Sequence, residues 1–185
     1  MRRDIVWERL DRPGLEHLVL ETGADGISAE SLLLLDDDGG LVKLRYRLAM
    51  SKDWRTHQAS FELAQGKARR TLEIARDGGG WKVDGVVRAD LAGADDIDIS
   101  GTPLTNTQAI KQLGLKSCKT KSFRIAYVKL PSLAVAAMSQ EYTRLDPGEP
   151  PKRFRYTSPG FTAEVDFDED GLVVDYPPGW KRRTK

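Results

Sequence analysis

Residues Val42-Lys43-Leu44-Arg45-Tyr46-Arg47-Leu48 alternate strictly between apolar and basic side chains. Successive side chains of a β-strand point to opposite faces, so this run has one apolar face and one charged face. The run from Phe161 to Asp168 has the same period, with Phe161, Ala163, Val165 and Phe167 on one side. This pattern predicts half-buried strands and a mainly β protein.

Further runs with strand character occupy much of the rest of the chain: 15–22, 27–35, 59–63, 70–76, 123–130 and 133–145. Glycine- and aspartate-rich turns separate several of them, at 37–40, 77–80 and 169–171. Glycine and aspartate tolerate the positive φ of tight hairpins, so these turns predict antiparallel neighbours. We therefore expect one antiparallel sheet, curled into a β-roll or half-barrel, with one or two short helices.

The length of 185 residues fits a single domain over residues 1–185. The repeated hairpins raise the alternative of an internal duplication, with halves at 1–90 and 91–178. The basic segment 181–185, which contains Lys181, Arg182 and Arg183, is expected to be a disordered tail.

Charge and composition exclude several kinds of function. A formal net charge of +1 gives no overall electrostatic support to nucleic-acid binding. One cysteine, Cys118, and two histidines argue against a cysteine-rich zinc site or a multi-histidine metal site, and no cofactor is expected. The N-terminus lacks the apolar core of a signal peptide and no apolar run could span a bilayer, so we expect a soluble, cytoplasmic protein.

The segment Asp166-x-Asp168-x-Asp170-Gly171 mimics the start of a calcium-binding loop. An EF-hand requires glutamate at the twelfth position and flanking helices. Pro177 occupies that position, and both flanks alternate like strands. We therefore interpret the segment as a hairpin.

Residues 95–114 are the most unusual part of the chain: an acidic alternating run, a turn with Pro103, and a short apolar-faced segment. If 95–100 is a strand, Asp96 and Asp98 share one face, opposite to Asp95, Ile97 and Ile99. Thr105-x-x-Gln108 matches a capping box, and Asn106 is an alternative cap. We expect a helix of about two turns, packed on the sheet through Ile110 and Leu113 and ended by Gly114.

Two interpretations of this segment stay open. In the first, Asp96 and Asp98 are a solvated strand face, and Thr105 and Asn106 only cap a helix. In the second, these polar groups converge at one end of the sheet and hydrogen-bond a polyhydroxylated head group. Under the second interpretation Lys111 would be a charge partner, and Tyr127, Tyr142 and Tyr156 would form the pocket wall.

The segment that follows is basic, with Lys111, Lys116, Lys119, Lys121 and Arg124. It is either a solvated surface or a contact for phosphate or anionic lipid. Cys118 lies among these lysines without a nearby histidine, and we assign it no role.

The sequence resembles the family of bacterial putative glycolipid-binding proteins, a domain of otherwise unknown function. The resemblance is strongest in the D-x-D strand 96–99 and the T-P-L-T-N-T turn 102–107, and it extends from Ile5-Val6-Trp7 to Asp170–Pro177. It departs from the family after that turn, where Lys111 and Gln112 stand in place of a usual arginine pair. The resemblance implies a curled β-roll similar to the half-barrels of lipoprotein carriers.

These observations lead to a hypothesis of non-catalytic binding of an amphipathic ligand, such as a glycolipid or related lipid. The alternative is a hydrolase or isomerase that acts on a sugar or lipid-linked substrate through Asp96 and Asp98. A third hypothesis is a protein-interaction module that uses an edge strand or the basic tail. We expect binding rather than catalysis.

Overall fold

The computed structural model describes residues 1–37, 39–78, 80–114 and 119–184. In these ranges a single sheet contains 15 strands, in the order β8-β7-β6-β5-β4-β3-β2-β1-β15-β14-β13-β12-β11-β10-β9. The strands are β1 Arg2–Arg9, β2 Gly14–Thr22, β3 Ile27–Asp37, β4 Gly40–Met50, β5 Thr56–Gln65, β6 Ala68–Asp77, β7 Gly80–Val83, β8 Val86–Val87, β9 Asp96–Ile99, β10 Thr120–Lys129, β11 Ala134–Arg144, β12 Arg153–Ser158, β13 Phe161–Phe167, β14 Val173–Tyr176 and β15 Trp180–Arg182. A 3-10 helix spans Ala89–Leu91, and an α-helix, α1, spans Leu104–Leu113.

Strand β4 shows why the alternating pattern produces this sheet. Val42, Leu44, Tyr46 and Leu48 are buried on the concave face, and the basic residues between them are exposed. Each buried side chain removes apolar surface from water while its polar neighbour stays solvated. The prediction of a mainly β, curled sheet is confirmed, and the sheet does not close into a barrel.

The predicted hairpins are confirmed where the structure describes them. Asp37 pairs with Gly40, and Asp77 pairs with Gly80, although Asp38 and Gly79 themselves lie outside the described residues. At the third tip, Asp168 Oδ1 accepts the backbone N–H groups of Asp170 and Leu172 at 2.9 Å each. The calcium-like motif is therefore a hairpin between β13 and β14, as interpreted.

The first and last strands pair with each other within the sheet. β15 lies between β1 and β14, antiparallel to both. The prediction of a disordered tail is wrong for Lys181 and Arg182, because both belong to β15 and Arg182 Nη1 donates to Asp168 Oδ2 at 2.6 Å. Lys185 lies outside the described residues. The proposed duplication with halves 1–90 and 91–178 stays a prediction.

One pair in the described sheet departs from the expected antiparallel arrangement. β9 runs parallel to β10, because the chain reaches β10 from β9 through α1 instead of through a hairpin. A parallel pair requires such a crossover connection. None of the helices in the described ranges has the length and apolarity needed to cross a bilayer.

Helix α1 lies inside the curl of the sheet. Gln108 Nε2 donates to Thr56 Oγ1 of β5 at 2.9 Å, and Tyr142 of β11 donates to Asn106 Oδ1, also at 2.9 Å. Since β5 and β11 are far apart in strand order, the sheet must wrap around the helix to reach it from both sides. Ten residues give about three turns, which is longer than predicted. Ile110, Leu113 and the left-handed Gly114 have the roles expected of them.

Candidate functional site

The turn between β9 and α1 positions the candidate site. The Thr102 hydroxyl accepts the N–H of Leu104, the first residue of the helix, at 3.1 Å. The predicted capping box is wrong: the cap position is Pro103, without a side-chain bond. The Thr105 hydroxyl instead donates to Asp98, and the Gln108 side chain reaches Thr56. These side chains thus attach the helix to the sheet.

Asp98 is held by donors from two elements. Thr105 of α1 donates to Oδ1, and Gln140 Nε2 of β11 donates to Oδ2 at 2.5 Å. The second amide hydrogen of Gln140 goes to the hydroxyl oxygen of Tyr156 at 2.9 Å. Burial raises the pKa of the Asp98 carboxyl, while the bonds from Thr105 and Gln140 oppose that rise.

This arrangement leaves specific hydrogen-bonding capacity unused. Each oxygen of an ionised carboxylate has two acceptor sites, and each oxygen of Asp98 receives one protein side-chain donor. Since the Tyr156 oxygen accepts from Gln140, its own proton is free to be donated. Because the backbone N–H of Ile99 also bonds Asp98, the pair can accept from one ligand hydroxyl and donate to a ligand oxygen.

A cleft of about 490 Å³ opens beside Asp98. Its volume is within the range of small-molecule sites. One wall is aromatic, because the rings of Tyr156, Phe161 and Tyr176 contact one another with centroids 6.1 to 6.3 Å apart. Polar lining comes from Arg9, Asp11, Ser100, Thr102, Asn106, Lys129 and Ser158, and Arg9 and Asp11 form an ion pair at 2.7 Å.

Asp96 lies in a different environment from Asp98. It is 5% exposed and accepts the N–H groups of Thr56 at 3.2 Å and Ile97 at 2.8 Å, and Gln112 Nε2 at 2.7 Å. It does not line the cleft. The interpretation in which Asp96 belongs to a solvated strand face is wrong, because α1 covers that face of β9 and buries Asp96, whereas Asp95 is exposed.

The structure brings together four of the eight predicted site residues: Asp98, Asn106, Tyr127 and Tyr156 all line the cleft. Tyr127 is half-buried, and burial raises its pKa. Thr105 and Tyr142 lie behind the lining, where they bond Asp98 and Asn106. Lys111 is away from the cleft, exposed, with its ammonium 5.9 Å from the centre of the Trp54 ring. Lys116 and Cys118 lie outside the described residues.

A second buried carboxyl, Glu16, was not predicted. Its Oε1 accepts hydrogen bonds from Tyr46 at 2.5 Å, Ser31 at 2.8 Å and Thr102 at 2.9 Å. Its Oε2 is buried and has no hydrogen-bond partner among the described residues. Burial raises the pKa of this carboxyl to about 7, against the opposing effect of the three hydroxyl donors. Thr102 therefore connects this group to the cleft lining.

The sequence contains a signal for Glu16, because it alternates with Leu18 and Leu20 on the buried face of β2. The positions of Gln140, Phe161 and Tyr176 at the site were not predicted, since they depend on neighbours distant in sequence. Metal binding has no evident site: no group of three or more histidine, cysteine, aspartate or glutamate side chains in the described ranges could hold an ion.

Comparison with known proteins places this architecture in a family. Residues 4–182 match the family model described as putative glycolipid-binding. A crystal structure of a DUF1089 family protein from Pseudomonas aeruginosa is 35% identical and superposes with a TM-score of 0.82 over 92% of each chain. No curated protein matches the chain. The match covers nearly the whole sequence, and so the chain belongs to the putative glycolipid-binding family.

Proposed function

We propose that this protein binds an amphipathic ligand, such as a glycolipid, without transforming it, and that the polar head group occupies the cleft beside Asp98. The observation that carries the proposal is the pairing of Asp98 with an aromatic wall in a cleft of about 490 Å³. The description of the family supports the same ligand class.

Hydrogen bonding accounts for the polar side of this recognition. A sugar hydroxyl would donate to the unused acceptor site of Asp98, and the Tyr156 hydroxyl would donate to a ligand oxygen. Asn106 Oδ1 is occupied by Tyr142, whereas its amide group makes one long bond of 3.5 Å to the Pro103 carbonyl. The Asn106 amide is thus a further donor at the cleft.

The aromatic wall accounts for the apolar side. A sugar ring has faces of C–H groups that pack on aromatic rings, and tyrosine adds a polar edge. Phe161 is 41% exposed, so its ring is accessible to a ligand in the cleft. Burial also raises the pKa of Tyr156 and Tyr176, so both hydroxyls stay neutral donors at physiological pH.

Binding has more support than the enzyme alternative with Asp96 and Asp98. That mechanism requires two carboxyl groups on opposite sides of the scissile bond. Asp96 is saturated by Thr56, Ile97 and Gln112 and does not line the cleft. Asp98 can therefore contact a ligand in the cleft, but Asp96 of the same strand cannot act with it there.

The test combines native mass spectrometry of the purified protein, lipid extraction, and titration with alkyl glucosides. Asp98→Asn should weaken glucoside binding about 10- to 100-fold, because a hydrogen bond to a charged acceptor is lost. Glu164→Gln, on an exposed carboxylate of β13, is the matched control and should bind like the wild type. Absence of any bound or titratable amphiphile, or wild-type affinity in Asp98→Asn, would overturn the proposal. Recovery of a cleaved or rearranged glucoside would favour the enzyme.

A further inference from the structure

In the described part of the chain, helix α1 occupies the interior of the curled sheet. Leu104 through Gln108 are all buried, and the helix contacts both the β5 side and the β11 side of the sheet. The cleft beside Asp98, of about 490 Å³, is assigned to the head group, whose sugar ring packs on its aromatic wall. An amphiphile held by its head group would therefore need an apolar surface elsewhere for its chain.

A leucine groove of about 450 Å³ lies at one end of strands β2, β3 and β4. We define it by Pro13, Leu15, Leu34 and Leu41 at its sides, with Leu35 and Val42 beneath. Leu15 and Leu34 are each 43% exposed and Leu41 is 75% exposed. Leu15 and Leu34 are direct cross-strand neighbours on the outer face, where β4 carries Lys43, Arg45 and Arg47.

The leucine groove and the cleft share a wall, which is the β1–β2 turn. Gly14 lines the groove, and a Cβ atom on it would lie 3.0 Å from Cβ of Arg9, which lines the cleft. The N–H of Leu10 donates to the carbonyl of Gly179, another cleft residue, at 2.8 Å. Beneath the turn, a Cβ atom added to Gly101 of the cleft would lie 3.4 Å from Cδ1 of Leu35 of the groove.

We propose that the leucine groove binds the hydrocarbon chain of the amphiphile whose head group occupies the cleft. This inference rests on the proposed function. The ligand would cross the β1–β2 turn, with its sugar beside Asp98 and its chain against Leu15, Leu34 and Leu41. Such an arrangement leaves the chain on the outside of the sheet and requires no cavity around α1.

Size and shape favour a chain over a protein partner. A volume of about 450 Å³ is typical of small-molecule pockets. A specific protein interface usually buries at least ~1,000 Å² with good complementarity, which is more than a groove formed by a few leucines supplies. The groove also ends beside the cleft, where the junction of head group and chain would lie.

The test is a titration with hexyl, octyl and decyl glucoside below their micelle concentrations. Full burial of one methylene strengthens binding about fourfold, so wild-type affinity should rise two- to fourfold per methylene. The double variant Leu34→Gln/Leu41→Gln should lose most of this dependence on chain length, so its loss of affinity should be largest for decyl glucoside. Both side chains are exposed, so the variant should fold, which circular dichroism verifies.

The matched control replaces two exposed valines far from the groove, in Val86→Gln/Val87→Gln on edge strand β8, and should retain the wild-type dependence. An unchanged dependence in the leucine variant would overturn the groove assignment. Wild-type binding without any dependence on chain length would also overturn it, and would leave the head-group site intact. Failure of all three glucosides to bind would overturn the proposed function itself. A dimer that the leucine substitutions dissociate, seen by light scattering, would assign the groove to a second copy.

Discussion

Thr102 donates its hydroxyl hydrogen to Oε1 of Glu16 at 2.9 Å, and the same hydroxyl oxygen accepts the N–H of Leu104 at 3.1 Å. A buried carboxyl on β2 is thereby joined to the first residue of α1 and to the cleft lining. Tyr46 completes the arrangement, since its hydroxyl lies 3.0 Å from that of Thr102. The position of the turn from Ser100 to Pro103 thus depends on a titratable group.

The free energy of unfolding should fall as pH rises from about 5 to about 8. The folded protein keeps the Glu16 proton up to a pH near 7, whereas the ordinary value for the carboxyl is 4.5. Between these values the native state binds more protons than the unfolded chain, so the sign of the pH dependence is negative. The loss amounts to about 3 kcal/mol for this group, and urea denaturation at several pH values measures it.

Glu16→Gln should flatten this dependence, because glutamine does not titrate. A smaller slope should remain, since the pKa of Asp98 is raised as well. Glu164→Gln, which removes an exposed carboxylate, should leave the wild-type slope unchanged. Equal stability of the wild type at pH 5 and pH 8, or an undiminished slope in Glu16→Gln, would contradict the assignment.

Asp96→Asn should destabilise the fold and leave the cleft intact. Asn has one acceptor oxygen, so its amide group would face at least one of the donors Thr56, Ile97 and Gln112. The loss of charged hydrogen bonds should lower the free energy of unfolding by about 2–3 kcal/mol. Urea denaturation measures this, with Asp95→Asn as the control: that carboxylate is exposed and accepts one backbone N–H, from Arg124. Equal effects of the two substitutions would contradict a structural role for Asp96.

Gly101→Ala should also destabilise the fold, because the backbone conformation at this position disfavours a side chain and not because the added Cβ would clash. Gly101 has a φ of +88°, while an added Cβ would meet Leu35 and Leu130 at ordinary contact distances of 3.4 and 3.5 Å. Side chains rarely adopt this φ, at a cost of about 1–2 kcal/mol. The thermal midpoint should therefore fall by about 2–8 °C. Gly23→Ala, where an added Cβ meets no neighbouring atom, should shift the thermal midpoint by less than about 2 °C. A similar shift in both variants would contradict backbone strain at position 101 as the cause.

Much of the sheet could be predicted from sequence because each strand carries its own evidence. The alternation in β4 reports burial directly, and Asp37 and Gly40 mark the hairpin beside it. The burial of the two faces of β9 was predicted wrongly, because a strand considered alone is expected to have one core face and one solvent face. In the fold α1 covers the second face of β9, so Asp96 is buried there.

The site was less accessible to sequence analysis for the same reason. Thr105 and Gln108 have the spacing of a capping box, yet their partners are Asp98 and Thr56, which only the tertiary fold brings near. Gln140 lies 42 residues from the carboxyl it binds. Asp98 and Asn106 could be predicted as site residues because both belong to one unusual local motif. Glu16 could also have been found, as an acidic residue at an inward position of an alternating strand.

Removal of residues 180–185 should destabilise the protein strongly, since these residues include β15. Without β15, β1 and β14 lose their common neighbour, and the buried Trp180 leaves the core. Loss of a buried tryptophan alone costs about 3–5 kcal/mol, so the free energy of unfolding should fall by at least that amount in urea denaturation. A chain ending at Arg183 keeps β15 and loses the bond from Val6 N–H to Thr184, so its stability should fall by about 1 kcal/mol or less. Equal stability of the two truncated chains would restore the original interpretation of this segment as a disordered tail.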